Sequence, residues 1–147
     1  MSSPLPQTIG KFQILESVGE GGMGRVFVGR DPDLGSLVAI KLLREGFDNP
    51  ELRERFSREA RAARALRHAN IVTIFEAGTH SGQPFIVMEY IQGQTLAQLI
   101  RQSAPLSLER KLQLIDELAA GLEYAHRKGV IHRTSSRRIL SSMRTAS

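Results

Sequence analysis

The sequence predicts an α+β protein, in which a five-stranded antiparallel sheet with one helix comes first and further helices follow. Two observations lead to this prediction. Short segments with apolar residues at alternate positions follow one another in the first half of the chain, and residues typical of turns separate them. Further along, residues 108–122 carry an apolar stripe at helical spacing. Strands that precede helices, rather than alternating with them, favour an α+β architecture over a parallel sheet.

Three strands form the predicted start of the sheet. The first begins at Lys11, where apolar and polar residues alternate. The second covers residues 25–30 and follows a cluster of glycines, and the third covers residues 37–43 after a turn rich in Asp, Pro and Gly. Such short connections join neighbouring strands into an antiparallel meander. Residues 1–10 contain two prolines, and we expect them to be a flexible leader.

A helix is predicted after the third strand. Asn49 is a suitable N-cap, Pro50 fits the first helical position, and acidic residues in the first turn favour its positive end. The helix is expected to reach about Arg67. Residues 71–75 and 85–88 are rich in β-branched and aromatic residues and predict the last two strands of the sheet.

Two more helices are predicted in the second half of the chain. A short one lies around residues 96–100, after a break at Gly93. Ser107 is the expected N-cap of a long amphipathic helix. Its apolar stripe consists of Leu108, Leu112, Ile115, Leu118 and Leu122.

Length and composition limit the possible classes of protein. The chain has 147 residues, enough for one ordinary domain, and it contains no cysteine, which excludes disulfides and thiolate metal sites. It has no apolar run of membrane-spanning length and no basic-then-apolar signal peptide at its start, so a cytoplasmic location is expected.

The net charge of +5 is concentrated near the end of the chain. Four arginines lie in the last fifteen residues, which contain no acidic residue, so residues 1–132 carry a net charge of only +1. No aromatic platform accompanies these arginines, and we therefore expect no nucleic-acid partner.

A glycine-rich segment between the first two strands is the first candidate site. It consists of Gly19, Glu20, Gly21, Gly22, Met23 and Gly24. The G-x-G-x-x-G spacing also occurs in dinucleotide-binding folds, but there it opens a helix, whereas residues 25–28 alternate like a strand. Between two strands, the backbone N–H groups of glycines can approach phosphate oxygens without hindrance from side chains. The alternative is a hairpin turn with a purely structural role.

Lys41 is the second candidate, because it lies at the end of an apolar strand. A buried ammonium group needs an anionic partner, and Glu59 on the predicted helix is a suitable one. Such a pair would hold the lysine toward the α- and β-phosphates of a nucleotide. The alternative is an exposed lysine at a strand end.

Six motifs follow one another along the chain in a fixed order. They are Gly19-x-Gly21-x-x-Gly24-x-Val26, Val38-Ala39-Ile40-Lys41, Glu59, His68-Ala69-Asn70-Ile71-Val72, Met88-Glu89-Tyr90 and Ile131-His132-Arg133. Together they resemble the eukaryotic-type protein kinase fold, and the glycine-rich segment is similar to that of bacterial Ser/Thr protein kinases. The resemblance covers residues 11–133. It implies an N-lobe at 11–90, a hinge at 89–93 and part of a C-lobe at 94–133.

The resemblance implies a binding site for ATP. Val26 and Ala39 would line the adenine slot, and Met88 would be the gatekeeper at its back. The backbone carbonyl of Glu89 and the backbone N–H of Ile91 would form hydrogen bonds with the adenine edge. The kinase family also uses Mg²⁺ to bridge the nucleotide phosphates.

The resemblance also implies roles in catalysis. Lys41 and Glu59 would form the ion pair that marks the active position of the helix, and His132 and Arg133 would brace the catalytic loop. The family reads H-R-D-L-K-P-x-N there, but this chain has Thr134 at the position of the catalytic aspartate and lacks the asparagine that holds Mg²⁺. We interpret residues 134–147 as a disordered tail read in a shifted frame.

The sequence therefore predicts a truncated Ser/Thr protein kinase that keeps the ATP-binding lobe but is catalytically inactive as given. By resemblance, the intact family transfers phosphate from ATP to protein substrates. No intact catalytic residue and no metal site are predicted here. Two alternatives are a nucleotide-binding pseudokinase that acts as an interaction module, and a basic adaptor whose tail binds anionic surfaces. The resemblance also implies a helical lobe over the long helix, so we expect the apolar stripe of this helix to be partly exposed without it.

Overall fold

A computed structural model describes residues 4–21, 24–44, 49–93, 96–103 and 105–130. These residues form two compact units, one made of residues up to 65 together with 74–90, and one made of residues 66–73 together with those from 91 onward. The strands are β1 (Thr8–Ile9), β2 (Phe12–Gly21), β3 (Gly24–Arg30), β4 (Leu37–Leu43), β5 (Ile74–His80) and β6 (Gln83–Glu89), and the helices are α1 (Pro50–Arg64), α2 (Leu96–Arg101) and α3 (Leu108–Arg127). The predicted α+β class and the order of strands and helices are confirmed.

All strands belong to one antiparallel sheet in the first unit. Their spatial order is β1-β2-β3-β4-β6-β5, so the first four strands form a meander and only the last two exchange places. The described sheet has six strands instead of the five predicted, because a two-residue strand precedes the first expected one. Strand β5 begins at Ile74 and not at residue 71.

The hydrophobic core of the first unit lies on one face of this sheet. Phe27 in β3 stands opposite Ile40 in β4, and Ile40 stands opposite Val87 in β6. Residues that stand directly opposite one another project to the same face, so the three form one row across the sheet. The complete core cluster is Ile9, Phe12, Ile14, Phe27, Val38, Ile40, Phe85 and Val87.

The prediction of a flexible leader is wrong for residues 8–10. Thr8 and Ile9 pair with β2, and the side chain of Ile9 is completely buried in the core. The backbone N–H of Gly10 donates a hydrogen bond of 3.2 Å to Nδ1 of His80 in β5. Burial of the large apolar side chain of Ile9 explains why this short segment is ordered despite its prolines.

Helix α1 begins as the sequence predicts. Asn49 is the N-cap, and its side-chain oxygen accepts a hydrogen bond of 2.9 Å from the backbone N–H of Glu51. The helix ends at Arg64, about one turn earlier than expected. It packs against β5 and β6, and Ala60 is buried on the packed side.

Residues 66–73 were assigned to the N-lobe from the sequence, but they belong to the second unit. Three contacts with α3 explain why these residues belong to the second unit. The backbone N–H of Arg67 donates to the hydroxyl of Tyr124 at 3.2 Å, and the ring of His68 lies 5.2 Å from the Tyr124 ring. The side-chain amide of Asn70 donates to the backbone carbonyl of Glu117 at 2.9 Å. Residues 71–73 of the strand predicted at 71–75 therefore belong to a connecting segment, and residues 74 and 75 are the first two of β5.

Helix α3 keeps an apolar stripe at its surface, as expected. Ser107 is its N-cap and accepts a hydrogen bond of 3.1 Å from the backbone N–H of Arg110. The exposed fractions of Leu108, Leu112 and Ile115 are 73%, 53% and 59%.

Within the part of the chain that the structure describes, no helix is both long and apolar enough to cross a membrane.

The burial of Ile9 leads to a stability prediction. Replacing Ile9→Ala should lower the free energy of unfolding by about 2–5 kcal/mol, because it leaves a cavity in the core. Leu5→Ala is the matched control, since Leu5 is 44% exposed, and it should change this free energy by less than about 0.5 kcal/mol. Urea titrations followed by circular dichroism measure both values, and equal effects would show that the start of the chain does not contribute to the core.

Candidate functional site

The glycine-rich segment lies in the hairpin between β2 and β3. Gly19 stands opposite Val26, Glu20 opposite Arg25, and Gly21 opposite Gly24. The segment therefore connects two strands. A dinucleotide-binding loop would open a helix instead, so the predicted strand after the glycines is confirmed. Its residues Gly22 and Met23 lie outside the described residues. We call residues 19–21 and 24–26 the hairpin arms.

Two glycines of the hairpin arms differ in their importance for the packing of the sheet. Gly24 has φ +155°, and a Cβ atom there would lie 2.1 Å from the backbone oxygen of Leu42. No side chain can be accommodated at that distance, so Gly24 is needed for the pairing of β3 with β4. A Cβ atom at Gly19 would meet nothing within 4 Å. Gly19 therefore leaves its backbone open to a ligand without being needed for packing.

The pairing of three strands brings four predicted site residues to one face of the sheet. Val26 in β3 stands opposite Lys41 in β4, and Ala39 in β4 stands opposite Met88 in β6. Because Ala39 and Lys41 are two residues apart on one strand, both pairs project to the same side. This side is opposite to the core, which carries Ile40. All four residues are half-buried.

The face has the chemistry that a nucleotide requires. Apolar side chains at Val26, Ala39 and Met88 can line a slot for a flat aromatic base. The ammonium group of Lys41 lies on the same face, in the row that also contains Val26. Next to it, the hairpin arms offer backbone N–H groups at a position with no side chain. The first unit thus combines, on one face, three apolar side chains, a cation and a glycine without a side chain beside them.

Glu59 lies on the surface of α1 and has a different partner from the one predicted. Its Oε1 accepts a hydrogen bond of 3.1 Å from Nε of Arg55, one turn earlier in the helix, and its side chain is 65% exposed. Glu59 therefore pairs with Arg55 in this structure, whereas the sequence predicted a pair with Lys41. Exposed ion pairs of this type contribute only about 0.3–0.5 kcal/mol, so Arg55 does not hold the carboxylate firmly.

The two predicted hinge residues belong to different units. Glu89 is the last residue of β6 and stands opposite Val38. Ile91 is the first residue after the boundary between the units, which falls after Tyr90. The predicted hinge at 89–93 therefore contains this boundary.

The remaining predicted site residues, His132, Arg133 and Thr134, lie outside the described residues, as do residues 135–147. Among the residues that are described, no group of three or more His, Asp or Glu side chains could hold a metal ion.

Sequence reasoning missed one residue near the site. Arg44 follows the last residue of β4, and its Nη2 donates to Oε1 of Glu20 at 2.9 Å. The only signal in the sequence was a pair of opposite charges at two strand ends. That signal is too weak to predict a contact across an intervening strand.

Comparison with known proteins decides the family. Residues 12–134 match the protein kinase domain family. The chain is a member of the protein kinase family. It is 43% identical over 125 residues to a probable serine/threonine-protein kinase PknB of Lactococcus lactis, and 38% identical over 125 residues to the serine/threonine-protein kinase PrkC of Bacillus subtilis.

These alignments cover 84% of this chain but only 20% and 19% of the two relatives, so the chain spans about a fifth of their length. The fold is similar to the crystal structure of the PknI kinase domain of Mycobacterium tuberculosis, with a TM-score of 0.78 and 29% identity. That likeness covers 88% of this chain and 54% of the PknI chain. The resemblance stated from the sequence motifs is confirmed.

The two glycines lead to opposite predictions. Gly24→Ala should lower the free energy of unfolding by at least about 2 kcal/mol, because its Cβ atom would clash with the Leu42 carbonyl. Gly19→Ala should leave it within about 0.5 kcal/mol and should weaken ATP binding, since only the ligand would meet the added methyl group. Chemical denaturation and calorimetry measure the two properties. A destabilised Gly19→Ala protein, or a stable Gly24→Ala protein, would contradict these assignments.

Proposed function

We propose that this chain binds ATP through its first unit, as part of a Ser/Thr protein kinase, and that it does not transfer phosphate in the form given. The observation that carries the proposal is the strand pairing that brings Val26, Ala39, Lys41 and Met88 to one face beside the hairpin arms. Membership of the kinase family supports the choice of ATP.

The chemistry of ATP indicates which part of the nucleotide each of these groups would bind. The adenine ring is flat and apolar on its faces, so it can pack against the apolar face formed by Val26, Ala39 and Met88. The phosphates carry negative charge, which the ammonium of Lys41 and the backbone N–H groups near Gly19 can bind. The backbone carbonyl of Glu89, the last residue of β6 in the same unit, would accept a hydrogen bond from the adenine edge. We further propose that Glu59 pairs with Lys41 when α1 is suitably positioned, since its present bond to Arg55 is weak.

Thr134 supports the proposal that no phosphate is transferred. In the family, an aspartate at that position accepts the proton of the substrate hydroxyl, and a later asparagine and aspartate hold Mg²⁺. A threonine hydroxyl does not ionise near neutral pH and cannot act as the base.

The assignment to Ser/Thr kinases rests on the relatives. Both curated relatives described above carry the name serine/threonine-protein kinase. This chain spans about a fifth of each, and we propose that a full-length kinase of this type phosphorylates protein serine or threonine.

The exposed stripe on α3 favours a second candidate function. Leu108, Leu112 and Ile115 form an apolar surface on a helix that is otherwise well capped. A nucleotide-binding pseudokinase that acts as an interaction module would have a use for such a surface. This function would require a partner protein, whereas the first proposal requires only the nucleotide.

ATP binding can be tested by thermal unfolding. ATP at one hundred times its dissociation constant should stabilise the wild-type chain by about 2.7 kcal/mol. Lys41→Met should weaken ATP binding by about tenfold or more, because a charge-assisted contact with the phosphates is lost. The control Lys111→Met removes an exposed lysine from α3 and should bind ATP like the wild type. If ATP produced no stabilisation, or if both variants lost binding equally, the proposal would fail.

Phosphate transfer can be tested separately with γ-labelled ATP, Mg²⁺ and a generic protein acceptor. We expect no incorporation of label above background by the purified chain, because Thr134 cannot replace the catalytic aspartate. Incorporation that disappears in Lys41→Met would show that the chain is an active kinase. The Lys41→Met protein is the control that separates this activity from a contaminating kinase.

A further inference from the structure

An ion pair joins the first hairpin arm to the end of β4. Nη2 of Arg44 donates to Oε1 of Glu20 at 2.9 Å, and the two side chains are 49% and 52% exposed. Strands β2 and β4 are not neighbours, since β3 lies between them. The bond therefore connects the glycine-rich arm directly with the strand that carries Lys41, and it passes over β3.

The bond lies on the side of the sheet that the nucleotide would not occupy. Glu20 stands opposite Arg25, and Arg25 stands opposite Leu42, which packs against the core cluster. Lys41 and Val26 occupy the alternate positions and project to the other face. A contact behind the arm can fix its position without obstructing the ligand.

We propose that the Glu20–Arg44 ion pair is a positioning contact for the triphosphate of ATP. It holds the backbone of Gly19–Gly21 at a fixed place relative to Lys41, so that the N–H groups and the ammonium meet the same phosphate chain. This inference rests on the proposed ATP binding.

The need for such a contact follows from the glycines. A backbone rich in glycine loses more conformational freedom on ordering than any other, and a ligand that must order it binds more weakly. A Cβ at Gly19 would meet nothing within 4 Å, so at this position side-chain packing adds no restraint to the strand pairing of the arm. The second arm is restrained differently, by the close approach of Gly24 to the Leu42 carbonyl. The first arm pairs with β3 along one edge, and the ion pair adds a side-chain restraint to this pairing.

The decisive variants are Glu20→Met and Arg44→Met, measured by calorimetry with ATP and with adenosine. Each should weaken ATP binding about two- to fivefold, the range expected for an exposed ion pair, and leave adenosine binding unchanged. Glu20→Met removes a negative charge, so simple electrostatics would strengthen the binding of anionic ATP. Weaker binding in both variants therefore distinguishes positioning from a general charge effect.

Lys11→Met is the matched control. Lys11 pairs with Asp33 at 2.8 Å, with exposed fractions of 47% and 68%, in the same unit but away from the hairpin arms. The hydrogen bond to Asp33 raises the pKa of Lys11, which favours the charged form of the lysine. Its loss should change neither ATP nor adenosine binding.

Amide hydrogen exchange tests the same contact without a ligand. In Glu20→Met and Arg44→Met, the amides of residues 19–21 should exchange faster than in the wild type, and those in the core strands should not. The combination of Glu20→Arg with Arg44→Glu should restore both slow exchange and ATP affinity.

The inference would be overturned by unchanged ATP binding in Arg44→Met, by tighter ATP binding in Glu20→Met, or by an equal loss of adenosine binding. A wild type that binds adenosine but not ATP would overturn the proposed function, while unchanged exchange would overturn the positioning contact alone.

Discussion

The antiparallel pairing of β3, β4 and β6 is the constraint on which both the core and the candidate site depend. Because opposite residues share a face, one register places Phe27, Ile40 and Val87 together on one side and places Lys41 with Val26 on the other. A shift of one residue would exchange the two faces and bury the ammonium of Lys41 in the core, at a high cost in desolvation. The core therefore fixes the site: the apolar side chains that stabilise the sheet also determine where the lysine lies.

The different roles of Gly24 and Gly19 follow from the same strand pairing. Gly24 permits the close approach of β3 to Leu42, and any side chain there would separate the strands that set the register. Gly19 has no such structural role, and its open backbone is what the candidate site uses. The ion pair between Glu20 and Arg44 joins the arm that contains Gly19 to the end of the strand that carries Lys41.

Much of the fold was predictable from local signals. The N-caps Asn49 and Ser107 were identified correctly, since capping depends on a few neighbouring residues. Ile9 was missed because its ordering comes from burial among strands distant in sequence, which prolines and a short leader do not reveal. The strand expected at 71–75 was misplaced for the same reason: the hydrogen bond from Asn70 to the Glu117 carbonyl involves a helix 47 positions later.

The sequence by itself determined the family and the types of residue at the candidate site, because the glycine spacing, Lys41 and the apolar strand before it are local patterns with a direct chemical meaning. Only the tertiary structure decided which residues share a face, which partner Glu59 has, and that Arg44 contacts the hairpin arm. These are contacts between side chains on different elements or successive helical turns. They depend on the register of strands and the orientation of helices, which arise from the packing of the whole unit and are not encoded by any one segment.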